Sequence, residues 1–147
     1  MKIEKFLSQS PLFALYRAQS QIIEAFQDRL GEEGVNLLQG LILTALFFEE
    51  REVRPLELAQ VFTVTKSNLS HALRALERRN YLKRAMHASD ARGYLFSLTP
   101  VGRRKAMVLV KIFDRNQEMF EQTLGARSVK EAVQQITTLT LGMQNLT

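Results

Sequence analysis

The feature that most constrains this chain is a pair of short amphipathic segments between residues 55 and 80. The first begins at Pro55, whose missing N–H would be unpaired at a helix start anyway, and keeps helical apolar spacing to Phe62. Three residues later Thr65 is a suitable N-cap for the second segment. Asn80 tolerates the left-handed conformation that closes a helix. Two short helices joined by so tight a turn form a helix-turn-helix.

The second of these helices has two chemically different sides. At about 100° per residue, Leu69, Leu73 and Leu76 share one buried side, and Ala72 belongs to the same stripe. The opposite side presents hydroxyl, imidazole and guanidinium groups and no acid. Such groups suit the DNA major groove, where arginine donates two hydrogen bonds to guanine. That outward strip consists of Ser67, His71, Arg74 and Arg78.

We predict different tasks for different members of this helix. Its N-terminal residues Ser67, His71 and Arg74 are expected to read base edges, as recognition helices do. Lys66, Arg78 and Arg79 are better placed for phosphates, and flanking Asn68 and Ser70 suit either task. An ordinary solvated face, with Glu77 pairing the arginines, is the alternative. The predicted site on this helix is Thr65, Lys66, Ser67, Asn68, Ser70, His71, Arg74 and Arg78.

The positive charge of the chain is concentrated around the same segments. The net charge is +5, but residues 51–105 hold 12 basic and 4 acidic residues, whereas residues 1–50 are net acidic and residues 106–147 are neutral. Concentrated basic charge in a folded segment is typical of proteins that bind a polyanion, above all nucleic acid. A solvated basic surface without a partner is the alternative.

Beyond Asn80 the apolar period changes from helical to alternating. The pattern predicts strands over residues 81–88 and 94–98, joined by a turn over residues 89–93. Arg92 is expected at the tip, where it could enter a minor groove, with Asp90 holding it through a charge-assisted hydrogen bond and Gly93 beside it. A plain turn is the alternative.

Helices are predicted on both sides of this region. They cover residues 3–30, residues 36–49 behind an Asn36–Gln39 capping box, residues 100–124 behind Thr99, and residues 128–146. The fold class is therefore mainly α with a small β-hairpin, an α+β arrangement. The terminal segments hold more apolar surface than a core of about 50 residues could cover, which predicts a homodimer. Packing within a single chain is the alternative.

In order and spacing these pieces resemble the MarR-type winged helix-turn-helix transcription regulators. The resemblance implies a winged helix-turn-helix over residues 35–102 and dimerisation helices over residues 1–34 and 103–147, in one intertwined domain. It further implies a homodimer on a palindromic operator in double-stranded DNA, and a small lipophilic effector bound between helix 37–48 and the helix that starts at Pro100. The residues that carry it are Asn36 and Gln39, Leu58-Ala59, Leu69, Leu73 and Leu76, Glu77 to Leu82, Asp90-Ala91-Arg92, and Leu98 to Gly102.

Three positions depart from the family pattern. Asn80 replaces the usual glycine, and Ser89 and Gly93 replace a proline and a second basic residue beside Arg92. The less basic tip predicts a weaker minor-groove contact.

Composition excludes several other classes. The chain has no cysteine, so thiol catalysis, thiol redox sensing and thiolate zinc sites are excluded. His71 and His87 are the only histidines, so we expect no metal and no cofactor. No apolar segment is long enough to span a bilayer, and we expect a cytoplasmic protein. A protein-binding winged-helix adaptor is the main alternative; an enzyme would need converging acids or a nucleophile–base pair, which the pattern does not supply.

Overall fold

The computed structural model describes residues 2–87 and 90–144, with the side chains of all of these except His87, Asp90, Ala91, Arg92, Met143 and Gln144. The described chain is mainly helical with one β-hairpin, as predicted. It divides into two compact units, Met1–Leu109 and Val110–Thr147. In chain order the elements are α1 (Lys2–Ser8), α2 (Pro11–Glu32), α3 (Leu37–Glu49), α4 (Pro55–Phe62), α5 (Lys66–Arg78), β1 (Leu82–His87), β2 (Asp90–Leu98), α6 (Pro100–Leu124) and α7 (Ala126–Gln144).

The N-terminal segment forms two helices, so the prediction of one helix over residues 3–30 is wrong. Pro11 lacks an N–H and biases Ser10 toward extended backbone, which Ser10 adopts at φ −90° and ψ 115°. The Ser10 hydroxyl then caps α2 by accepting a hydrogen bond from the Phe13 N–H at 3.4 Å. The apolar spacing runs across this break, and periodicity alone therefore missed it.

Helix α3 lies at the centre of the first unit. It begins with the predicted capping box, in which the Gln39 N–H donates to Asn36 Oδ1 at 2.9 Å and the Asn36 N–H donates to Gln39 Oε1 at 3.1 Å. It packs against α2, α5 and β2. The buried apolar residues of this unit include Leu30, Val35, Ile42, Leu43, Leu46, Val53, Leu58, Leu69, Leu73, Leu76, Leu82, Phe96, Ala106 and Leu109.

The two strands pair antiparallel from Leu82 opposite Leu98 to Met86 opposite Tyr94, and the register shifts after Met86. Strand β2 begins at Asp90, so residues 90–93 are strand, and the prediction that they form the turn is wrong. Asp90 pairs with His87 there, and the register is irregular over residues 91–93. Val53 forms an isolated antiparallel β-bridge with Phe96 through two backbone hydrogen bonds of 2.9 Å.

A close joint connects the end of α5 to the start of α6. The Thr99 hydroxyl donates to the Asn80 carbonyl at 2.6 Å and accepts from the Gly102 N–H at 2.9 Å, while the Thr99 N–H donates to the Tyr81 carbonyl at 3.0 Å. A Cβ at position 102 would overlap the carbonyl oxygen of Tyr81. Glycine is therefore required where α6 crosses this carbonyl.

Helices of both units leave apolar side chains in solvent. In the first unit, α1 buries no residue and α2 buries only Leu30 among their described side chains. Exposed there are Ile3, Phe6, Leu12, Tyr16, Ile22 and Ile23. In the second unit, Met119, Phe120, Leu124, Val133, Ile136, Leu139 and Leu141 are exposed. Among the described helices, none has the length and apolarity that a membrane crossing requires.

Candidate nucleic-acid interface

The turn between α4 and α5 sets the position of α5. Thr63 closes α4 in the left-handed conformation at φ 51°, and the predicted cap Thr65 follows in extended backbone. The Thr65 hydroxyl accepts a hydrogen bond from the Asn68 N–H at 3.2 Å. Leu69, Ala72, Leu73 and Leu76 are buried, which confirms the predicted inner stripe.

The predicted outward strip of α5 is exposed. Ser67, His71, Arg74 and Arg78 all reach solvent, as do Thr65, Lys66 and Asn68 near the start of the helix. Ser70 is half-buried on the flank of the helix. The strip thus forms one continuous surface with hydroxyl, imidazole and guanidinium donors, and it carries no carboxylate.

Arg74 is held in place by its own helix. Its Nη2 donates a hydrogen bond to the Ser70 hydroxyl at 3.0 Å, one turn earlier. Both residues line a cavity of about 470 Å³ bounded by α4, α5 and the hairpin. Arg74 therefore lies at the boundary between the outward strip and the side of α5 that faces the hairpin.

Two residues near the end of α5 have contacts that the sequence did not indicate. Glu77 pairs with Arg84 of β1, its Oε1 lying 3.3 Å from Arg84 Nε. Arg79 lies against the α2–α3 connection, where a Cβ at Gly34 would come within 3.2 Å of its Nη1. Glu77 is thus engaged with the hairpin, and the exposed Arg79 lies beside Gly34.

On the hairpin, the Arg84 guanidinium lies over the Tyr94 ring, 4.6 Å from its centroid. The alternation of the strands could have pointed to this contact, since it places Arg84 on the same face as buried Leu82 and Phe96. The side chains of the predicted site residues Asp90 and Arg92 lie outside the described residues. Gly93 is half-buried in β2.

A second charged group joins α3 to α4. Arg51 pairs with Glu57 at 2.8 Å and with Glu49 at 3.0 Å. The hydrogen bond from Arg51 lowers the pKa of Glu57, and the same bond raises the pKa of Arg51. Among the described residues, no group of three or more His, Cys, Asp or Glu side chains is arranged to hold a metal ion.

Comparison with known proteins agrees with this geometry. Residues 35–102 match the family described as a winged helix DNA-binding domain. The fold of this segment is a winged helix. Over 87 residues, or 58% of the chain, the sequence is 31% identical to the HTH-type transcriptional regulator PrsX of Escherichia coli. The aligned part of the chain spans about half of that relative, 52% of its length.

The chain is similar in fold to several solved structures, one of them a MarR family transcription regulator. The MepR–DNA complex of S. aureus superposes with a TM-score of 0.83 at 19% identity, covering 90% of this chain and 98% of that one. A MarR family transcription regulator superposes at 0.80 and 18% identity, covering 99% and 96%. PcaV of Streptomyces coelicolor, in complex with its natural ligand, superposes at 0.81 and 22% identity, covering 91% and 94%.

Proposed function

We propose that this protein is a MarR-type transcriptional regulator that binds double-stranded DNA as a homodimer. The observation that carries the proposal is the exposed, acid-free strip on α5 of the winged helix domain. Ser67, His71 and Arg74 contact base edges in the major groove, and Lys66 and Arg78 contact phosphates. Asn68 and Ser70, with the helix start at Thr65, complete this surface.

The hairpin supplies the second contact. A winged helix domain with α5 in the major groove brings its hairpin over the neighbouring minor groove. Arg92 enters that groove, with Asp90 and Gly93 beside it at the start of β2. The proposed DNA site therefore combines one helix and one strand end of each subunit.

Dimerisation accounts for the apolar side chains that each unit leaves exposed. Residues 1–34 and 103–147 form the proposed dimerisation region, and a second copy would cover Phe6, Tyr16 and Ile22 at one end and Ile136 and Leu139 at the other. A helix of 22 residues that buries one side chain gains stability by burying more. The resulting two-fold symmetry makes the operator a palindrome whose half-sites lie about 34–36 Å apart.

We also propose that a small molecule modulates DNA binding. PcaV was solved with its natural ligand, and a cavity of about 540 Å³ lies here between the end of α3 and the start of α6. Leu46, Leu98 and Pro100 form apolar parts of its wall. Acidic and basic side chains both line the rest, and Arg103 is paired with Glu50 at 3.1 Å. A ligand with a lipophilic body fits the apolar part of this lining.

Selection of bound duplexes from a random pool tests the DNA proposal and the dimer together. The expected result is a palindrome, with affinity that falls steeply as salt is added. No affinity at low ionic strength would favour the alternative, a winged-helix adaptor that binds protein. A non-palindromic site would contradict the symmetric dimer.

Arg74 provides a test at a single residue. Arg74→Ala should reduce operator affinity by about 1–3 kcal/mol and relax the preference at one base pair. Arg54→Ala is the control, since Arg54 is an exposed arginine outside both the proposed DNA site and the proposed dimerisation region. An equal loss on operator and random duplex would reassign Arg74 to a phosphate contact.

A further inference from the structure

We infer that Glu77, Arg84 and Tyr94 form a strut that positions the hairpin relative to α5 and so sets where the hairpin meets the minor groove. The inference rests on the proposed DNA-binding function and adds positioning residues to it. None of the three lies on the outward strip of α5. Together they connect α5, which binds the major groove in the proposed complex, to the hairpin, which binds the minor groove.

The placement of Glu77 is the first step. It is the only acidic residue of α5, and a carboxylate near DNA weakens binding by repelling phosphates. By helical spacing Glu77 shares the side of Lys66 and Ser70, which line the cavity beneath the hairpin. Its carboxylate is directed to Arg84 at 3.3 Å. Its contact with Arg84 of the hairpin explains why this otherwise basic helix contains an acidic residue.

The second step is the contact inside the hairpin. Arg84 pairs with Phe96 across the strands, and Tyr94 is the diagonal neighbour on the same face. The guanidinium lies 4.6 Å from the centroid of the Tyr94 ring, within the range of a cation–π contact. One arginine thus connects α5, β1 and β2.

The third step is the position of this contact along the hairpin. Phe96 is 7% exposed, whereas Tyr94 and Met86, toward the tip, are 44% and 66% exposed. The rest of the domain therefore covers the inner face of the hairpin up to the Glu77–Arg84–Tyr94 contact and not beyond it. The strand rises about 3.3 Å per residue, so the end of β1 at His87 lies about 10 Å beyond Arg84. A swing of about 15° there moves the tip by about 2.6 Å, nearly the length of a hydrogen bond.

Glu77→Gln separates positioning from simple electrostatics. This change keeps the side-chain shape and removes one negative charge beside the DNA, so charge alone predicts tighter binding. The strut predicts the opposite, an operator affinity lower by about threefold to tenfold. Glu57→Gln is the matched control, because Glu57 forms an ion pair with Arg51 at 2.8 Å whose exposure is close to that of the Glu77–Arg84 pair, away from the hairpin–α5 contact. Affinity should not fall in the control.

Footprinting locates the defect. In Glu77→Gln, hydroxyl-radical protection of the minor groove at the outer flanks should weaken, while methylation protection of guanine N7 in the major groove stays as in the wild type. The exchange Glu77→Arg with Arg84→Glu restores the ion pair at unchanged net charge but removes the cation–π contact with Tyr94, so flank protection should stay below that of the wild type. Tyr94→Phe should behave as the wild type and Tyr94→Leu as Glu77→Gln.

The outcomes separate this inference from the function on which it rests. If the wild type binds no duplex, the proposed function fails. If the wild type binds and Glu77→Gln binds equally well or more tightly, with flank protection intact, the strut is refuted. Uniform loss of protection in both grooves would also refute it, since that result indicates a general defect of the domain.

Discussion

Gly102→Ala is expected to lower the free energy of unfolding by disrupting the joint between the end of α5 and the start of α6. The added Cβ would overlap the Tyr81 carbonyl oxygen and lie 2.7 Å from its carbonyl carbon, where carbon atoms favour separations of about 3.5–4.0 Å. The start of α6 must therefore retreat by about 1 Å or more. Ala106 and Leu109, the next buried residues along α6, have no exposed surface and would be displaced from their packing.

This retreat also breaks the hydrogen bonds of the joint. The bonds from Thr99 to the carbonyls of Tyr81 and Asn80, at 3.0 Å and 2.6 Å, would stretch beyond useful length. Loss of two partly buried bonds together with strained packing costs about 3–5 kcal/mol. Because domains are typically stable by about 5–15 kcal/mol, the variant should lose a large part of its free energy of unfolding.

Urea denaturation followed by circular dichroism measures this loss, with both proteins at the same protomer concentration. Gly31→Ala is the matched control, because Gly31 is helical and nothing lies within 4 Å of an added Cβ. The control should be stabilised by about 0.5–1 kcal/mol. If Gly102→Ala unfolds within about 1 kcal/mol of the wild type, the close approach to Tyr81 is not a constraint and the reasoning is wrong.

Three further substitutions test other contacts. Ser70→Ala should weaken operator binding because it frees the Arg74 guanidinium, and should add nothing to Arg74→Ala in a double-mutant cycle; additive losses would contradict this coupling. Asn36→Ala should cost about 1 kcal/mol of stability in denaturant titration, whereas Asn36→Asp, which keeps the cap, should not. Arg51→Gln should raise the pKa of Glu57 toward its ordinary value of 4.5 in an NMR titration. Since the folded-state pKa of Glu57 is lowered, its stabilising contribution is present above about pH 4.5 and is lost as pH falls through the folded-state value; an unchanged pKa in the variant would contradict the assigned cause.

Local chemistry made the helix-turn-helix and α3 predictable from sequence. Pro55, Thr65 and Asn80 each favour one backbone conformation at a helix end, and the structure has all three as expected. The capping box before α3 follows from the Asn36–Gln39 pair in the same way. The helical periodicity of the apolar residues then predicted which face of α5 is buried and which is exposed, because its apolar and polar residues lie at different angles around the helix axis.

Features that depend on distant parts of the chain were not predictable in this way. Residues 90–93 have turn chemistry, yet they belong to β2, and Asp90 pairs with His87 of β1. Arg79 was predicted to contact phosphates because of its place in the sequence. Its position beside Gly34 depends on how α2 and α5 pack, which the sequence does not show. The Glu77–Arg84 pair depends on where the hairpin folds back, which no local pattern specifies.

Thr63 restricts the backbone conformation of the turn between α4 and α5. A β-branched residue at φ 51° occupies a narrow and costly region of backbone space, and few nearby conformations are open to it. Glycine at this position would relieve about 1 kcal/mol of strain, yet it would widen the range of angles between α4 and α5. In the proposed complex, the strained turn presents α5 to DNA already oriented, at some cost in thermodynamic stability.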